Sequence, residues 1–174
     1  MDLAEHPTRL IVVMRHAKAE QVGPTDFERA LADRGHADAA EAGAWLAARG
    51  FVPDHALVSA ARRTQETWAS LVAGGGWDLD PELDRGLYAA EPETALALVR
   101  RSDPQSRRLV LVGHNPTMAY LAQLLGDGGA PDGLERELMT GFPTSALAVF
   151  AHDGEWPDLV DGSARLLAYH VGRG

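Results

Sequence analysis

Two histidines each stand directly after an apolar run. Leu10-Ile11-Val12-Val13-Met14 leads into Arg15-His16-Ala17-Lys18, and Leu109-Val110-Leu111-Val112-Gly113 leads into His114-Asn115-Pro116. A third run, His55-Ala56-Leu57-Val58, ends at Ser59 and is followed by Arg62-Arg63. A neutral imidazole nitrogen can attack phosphorus and hold the transferred group covalently. A guanidinium presents a planar fork of donors that stays protonated. A phosphoryl transition state spreads negative charge over three equatorial oxygens, so its catalysis is mostly positioning and charge stabilisation. Arginine beside histidine, with a second histidine as donor, is therefore a set suited to phosphoryl transfer. A single Arg-His dipeptide carries little information. Its weight comes from the second histidine, placed the same way at the end of another run. On spacing alone either Arg62 or Arg63 can supply the second cation, and the backbone N–H groups that open a helix there also favour an anion.

These residues need strands to deliver them. Runs of about five apolar residues, several β-branched, read as short strands buried on both faces, as in a parallel sheet. In open α/β sheets, ligands bind outside the carboxyl ends of the strands. Residues 19–30 read as a loop, with Gly23-Pro24 as punctuation and Thr25-Asp26 as a cap for the next segment. Helices are predicted over 36–49, with Gly50 as its C-cap, and over 60–72, stopped by Gly74-Gly75-Gly76. A short strand is predicted within 77–83 and a helix from Pro92 to about residue 101. A strand over 108–112, a helix over 116–125, a loop over 126–133 and two late strands over 144–151 and 164–171 complete the chain. Strands alternating with helices predict one domain spanning 1–174, a three-layer α/β/α sandwich on a mainly parallel mixed sheet.

The chain of 174 residues is 45% hydrophobic and 24% charged, with a formal net charge of −9. That balance suits a globular core, and the negative sign argues against nucleic acid, whose phosphates need a basic surface. No cysteine is present, which excludes thiolate chemistry and fits a reducing compartment. Residues 1–9 lack the basic start and apolar run of a signal peptide, and no run is long enough to span a membrane. A cytoplasmic location without membrane association is the expectation. His6, His36, His55, His152 and His170 lack metal-ligand spacing, and Gly74-Gly75-Gly76 lacks the Lys-Ser/Thr ending of a phosphate loop.

Taken together, Arg15-His16-Ala17, the segment Ser59 through Thr67, and Gly113-His114 resemble the histidine phosphatase superfamily, which has a phosphoglycerate-mutase-like fold. Arg29 and Leu31 ahead of Gly35, and Phe142-Pro143-Thr144-Ser145-Ala146, extend the resemblance over nearly the whole chain. The short length is most similar to the SixA-type phosphohistidine phosphatases. The resemblance implies that His16 is the nucleophile, that Arg15 and Arg63 grip the phosphoryl oxygens, and that His114 donates to the transferring group. Lys18, Ser59 and Asn115 would support substrate binding. Ala17, Ala60 and Glu66 stand where glycine, proline and glutamine are common in the family, and none of these changes removes a reacting group. Many members carry a carboxylate general acid; Glu82 and Asp84 are the candidates, though neither matches the family pattern. A phosphoramidate leaving group would need less acid assistance, because imidazole takes up a proton near neutral pH. The implied enzyme needs no metal or other cofactor and acts on phosphohistidine in a phosphorylated protein. The alternatives are a phosphatase of small phosphorylated metabolites such as sugar or nucleotide phosphates, or a low-turnover phosphate-binding module. A mutase must shield its phosphoenzyme from water, and this chain has little length for covering loops.

Overall fold

The computed structural model describes residues 1–174. In chain order its elements are β1 (Arg9–Arg15), α1 (Asp33–Ala47), β2 (His55–Ser59), α2 (Arg62–Gly75), β3 (Glu82–Asp84), α3 (Pro92–Arg100), β4 (Arg108–Gly113), α4 (Thr117–Leu125), α5 (Leu134–Thr140), β5 (Ala146–His152) and β6 (Arg165–Val171). The strands form one sheet in the order β3-β2-β4-β1-β5-β6. The first four in that order run parallel, while β5 and β6 add an antiparallel edge. Helices cover both faces, which is the layered α/β architecture that the alternation of elements implies. No helix is long and apolar enough to cross a membrane.

The strand side chains alternate between two cores. Ile11, Val13, Leu109 and Leu111 pack with Leu96 and Val99 of α3, Leu121 of α4 and Leu138 of α5. Leu10, Val12, Met14, Val110 and Val112 pack with Leu46 of α1 and Trp68 and Leu71 of α2. Burial on both faces is why β1 and β4 read as unbroken apolar runs rather than alternating ones. Helices α1 and α2 meet at very short range: a Cβ on Gly43 would lie 2.0 Å from the Leu71 carbonyl oxygen, and one on Gly74 would lie 1.9 Å from that of Ala40. The small-residue stripe in α1 is thus a packing surface for α2.

Several boundaries differ from those predicted. Helix α1 begins at Asp33, where an acidic side chain suits the positive end of the helix dipole. Within 77–83 only the last residues pair, and β3 is a three-residue edge strand, because Trp77 and Leu79 lie against the α1–α2 core instead. Helix α5, between the 126–133 loop and the late strands, is an element that the sequence pattern does not predict. Strand β5 starts at Ala146 rather than residue 144, because Ser145 takes a left-handed φ of 63° that interrupts the extended run.

Register places the strand exits level. Arg15 pairs with Gly113, and Val58 with Val112, so His16, His114 and Ser59 emerge side by side at one edge of the sheet. Because the α1–α2 contact admits no methyl, Gly43→Ala should cost about 2 kcal/mol or more. A lowered urea midpoint with an unchanged denaturant slope checks this.

Candidate active site

His16 is held from three directions. Its backbone N–H donates to the Gly113 carbonyl at 3.0 Å, and its own carbonyl accepts the Ser145 N–H at 3.1 Å. The next N–H, that of Ala17, donates to Thr67 Oγ1 at 2.9 Å, and the Thr67 hydroxyl donates to the Arg63 carbonyl at 2.7 Å. The exit of β1 is thus bolted to β4, to the start of β5 and to the first turns of α2. The His16 Nδ1 atom lies 2.7 Å from the Ala17 carbonyl. A carbonyl only accepts, so Nδ1 carries the proton and Nε2 keeps its lone pair.

His114 stands beside it, with ring centroids 5.4 Å apart. Its Nε2 lies 2.7 Å from the hydroxyl of the fully buried Ser59, and Tyr88 meets its ring edge-on at 5.5 Å. The Asn115 amide donates to the Phe142 carbonyl at 2.8 Å, while its oxygen accepts the Ala119 N–H at 3.3 Å. Arg15 donates to the same Phe142 carbonyl from one terminal nitrogen at 3.3 Å. Ser59 and Asn115 thus each have protein partners, through which they position His114 and the chain beside Arg15. Lys18 stays at the surface, and its carbonyl accepts the Ala32 N–H.

Burial separates the two arginines. Arg63 is 5% exposed, and both its terminal nitrogens donate to Asp26, one to the backbone oxygen at 2.7 Å and one to Oδ2 at 3.2 Å. The Arg62 side chain is 58% exposed and pairs with Glu66. Glu66 also accepts the Leu31 N–H at 2.6 Å, so the glutamate standing where glutamine is common fastens α2 to the chain ahead of α1. Three buried nitrogens of this cluster have no partner, Arg15 Nε, Arg63 Nε and His114 Nδ1, and neither has the Ser145 hydroxyl next to them. Buried donors are almost always satisfied. Three left open around one imidazole fit an anion with three oxygens.

The electrostatics keep both rings neutral at pH 7. Burial pushes the His16 pKa down to about 4; the Ala17 hydrogen bond opposes this, and the cations Arg63, Arg15 and Arg29 add to it. Burial lowers His114 to about 3, again helped by Arg63. Asp26 is held down to about 2, first by the Tyr88 hydroxyl and then by Arg29 and Arg63, so it is an anion throughout the neutral range.

Both candidate general acids have protein partners. The Glu82 carboxylate is exposed and faces His55 Nε2 at 3.4 Å, toward the amino end of β2. Asp84 Oδ1 accepts the Leu87 N–H at 3.2 Å, within the 3-10 turn Gly86–Ala89. Position near the middle strand suggests both, but their side chains are engaged elsewhere. No group of three or more His, Asp or Glu side chains is placed to hold a metal ion. In their place the structure brings Asp26, Arg29 and Tyr88 to the site. Arg29 Nε donates to Asp26 Oδ1 at 2.9 Å, and the Tyr88 hydroxyl donates to Oδ2. The Asp26-x-x-Arg29 spacing is a local signal that reading Asp26 as a cap passes over; nothing local marks Tyr88.

Residues 11–89 match the model of the histidine phosphatase superfamily, branch 1. An uncharacterized protein of Mycobacterium tuberculosis is 36% identical over 92% of this chain and all of its own length. A candidate phosphohistidine phosphatase SixA from Nakamurella multipartitia superposes with a TM-score of 0.85 at 28% identity, covering 96% of this chain and 98% of that one. A second candidate SixA, from Agrobacterium tumefaciens, gives a TM-score of 0.74 at 32% identity over 95% and 99% of the two chains.

The lowered pKa values have a testable sign. Unfolded imidazoles bind protons below about pH 6.5, whereas folded His16 and His114 stay neutral to about 4 and 3. Their contribution to stability is full above about 6.5 and is lost as pH falls toward 4. Histidine NMR of the free protein should show these two rings not titrating between pH 5 and 8.

Proposed function

The chain belongs to the histidine phosphatase superfamily and is of the SixA type, and from that premise we propose that it hydrolyses phosphohistidine carried by a protein, through a covalent phosphohistidine on His16. Phosphatase chemistry is the activity of the family; the phosphoprotein substrate and the covalent route are the finer reading. One observation carries it: a neutral imidazole with a free Nε2 lies among three buried polar atoms that lack partners.

His16 Nε2 attacks phosphorus in line. Its bond to phosphorus forms as the P–N bond to the substrate imidazole breaks, and the leaving ring keeps that electron pair and departs in its neutral form once protonated by solvent. Arg15 and Arg63 bind the equatorial oxygens, and His114, whose Nε2 is engaged by Ser59, offers Nδ1 to the third. Water then attacks phosphorus, the bond to His16 breaks, and the products are inorganic phosphate and neutral His16. Low pKa values serve both steps, because a protonated His16 could not attack. The two guanidiniums bring the positive charge that a metal ion would otherwise supply, so the route needs no metal. An open hollow of about 580 Å³, bordered by Val22, Pro24, Asp26 and Arg29, lies beside the site. It favours a macromolecular substrate over a small metabolite, which a closed pocket would serve better.

The test compares a phosphohistidine peptide, p-nitrophenyl phosphate and a panel of sugar and nucleotide phosphates, with and without chelator. The peptide should be the best substrate, chelator should change nothing, and labelled enzyme should carry an acid-labile phosphoryl group that His16→Ala lacks. Faster turnover of a metabolite would overturn the phosphoprotein reading, and full activity in His16→Ala would overturn the covalent route. A protein that binds phosphate without turnover would be the binding module instead. Arg63→Ala should lose at least ~2 kcal/mol of transition-state stabilisation, whereas Arg62→Ala should stay within a few-fold of the parent kcat/KM.

A further inference from the structure

The site contains one anion. Asp26 sits in the loop after β1, its side chain 56% exposed, while His16 and His114 are each 8% exposed. The histidines form the floor and Asp26 the rim. Its Oδ2 accepts from Arg63 at 3.2 Å and from the Tyr88 hydroxyl, and its Oδ1 accepts from Arg29 Nε at 2.9 Å. A carboxylate has about four acceptor positions; three are filled, and the open one is on Oδ1, on a side chain that still faces solvent.

A carboxylate at the rim is an unexpected choice for binding a phosphoryl group, which it repels. Its place makes sense from the other side of the reaction. In-line displacement puts the leaving atom opposite the nucleophile. His16 attacks from the floor, so the leaving group lies toward the rim, where Asp26 stands.

We infer that Asp26 is the specificity-determining residue of this enzyme: its open carboxylate position accepts a hydrogen bond from the distal ring N–H of the substrate phosphohistidine. This rests on the proposed phosphohistidine activity and names how the site would select that substrate. N-phosphorylated imidazole can be protonated at its other ring nitrogen. The proton comes from bulk water before the P–N bond breaks, and the ring then departs as neutral imidazole with no acid needed at the leaving nitrogen. By binding that N–H, Asp26 keeps the bound substrate in its protonated form. A phosphate ester has no such group, so the carboxylate gives it nothing. The charged and titratable groups facing Asp26 are Arg29 on its own loop, Arg63 on α2, Tyr88 on the 3-10 turn and His114 after β4. The same contacts also orient Arg63, so a loss shared by every substrate would mean only a positioning role.

Asp26→Asn and Asp26→Glu separate the two roles, measured as kcat/KM on a phosphohistidine peptide and on p-nitrophenyl phosphate, with folding followed by circular dichroism. Asp26→Asn should lower the ratio of peptide to ester kcat/KM by about 10- to 100-fold, and Asp26→Glu should restore most of that ratio. Equal losses on both substrates, or a retained preference for the peptide, overturn the inference. The wild-type protein supplies a measurement that needs no variant. Because kcat/KM reports the free substrate and kcat the bound one, the alkaline limb of kcat should lie at higher pH than that of kcat/KM. Coincident limbs overturn the inference while leaving phosphohistidine activity standing. A wild-type enzyme with no preference for phosphohistidine overturns the proposed function, and the role of Asp26 with it.

Discussion

The hydrogen bond from the His16 backbone N–H to the Gly113 carbonyl is the contact on which the rest of the site depends. It continues the parallel ladder of β1 and β4 one residue past the last paired position, Arg15 with Gly113. A parallel pair fixes relative height along both strands, and a slip of one residue would turn every side chain to the opposite face. Here a slip is opposed by two apolar cores, one on each face, so the energy that buries Val12, Val13, Val110 and Leu111 also sets His16 against His114. The catalytic geometry is a by-product of core packing.

Around that contact the protein spends polar interactions on orientation. Thr67 joins the residue after His16 to the carbonyl of Arg63, so the two segments are tied through one hydroxyl. Ser59 lies beneath His114, and Phe142 offers one carbonyl to both Arg15 and Asn115. Arg15 Nε, Arg63 Nε and His114 Nδ1 are left without protein partners. A preorganised set of donors needs little rearrangement when charge develops, which is the main source of electrostatic catalysis. The cations serve a second purpose, since Arg63, Arg15 and Arg29 help hold His16 in its neutral, nucleophilic form. Asp26 balances them at the rim, and the overall negative charge makes the pocket a local exception in an acidic molecule.

Short apolar runs, glycine stops and helix-opening prolines are local signals, and they determined the element order apart from α5, the placement of helices on both faces of a sheet, and the delivery of His16 and His114 from strand exits. Those features depend on residues within a turn or a strand of one another, so the sequence carries them by itself. Only the tertiary structure decided the rest. Arg63 rather than Arg62 is buried because α2 packs on α1 at Gly43 and Gly74 and meets the chain leaving β1 through Thr67. The partners of Ser59, Asn115, Glu82 and Asp84 likewise come from other segments or from turn geometry. Asp26 meets Tyr88 across 62 residues. Such pairings follow from how packed layers bring distant segments together, and no periodicity within either segment records them.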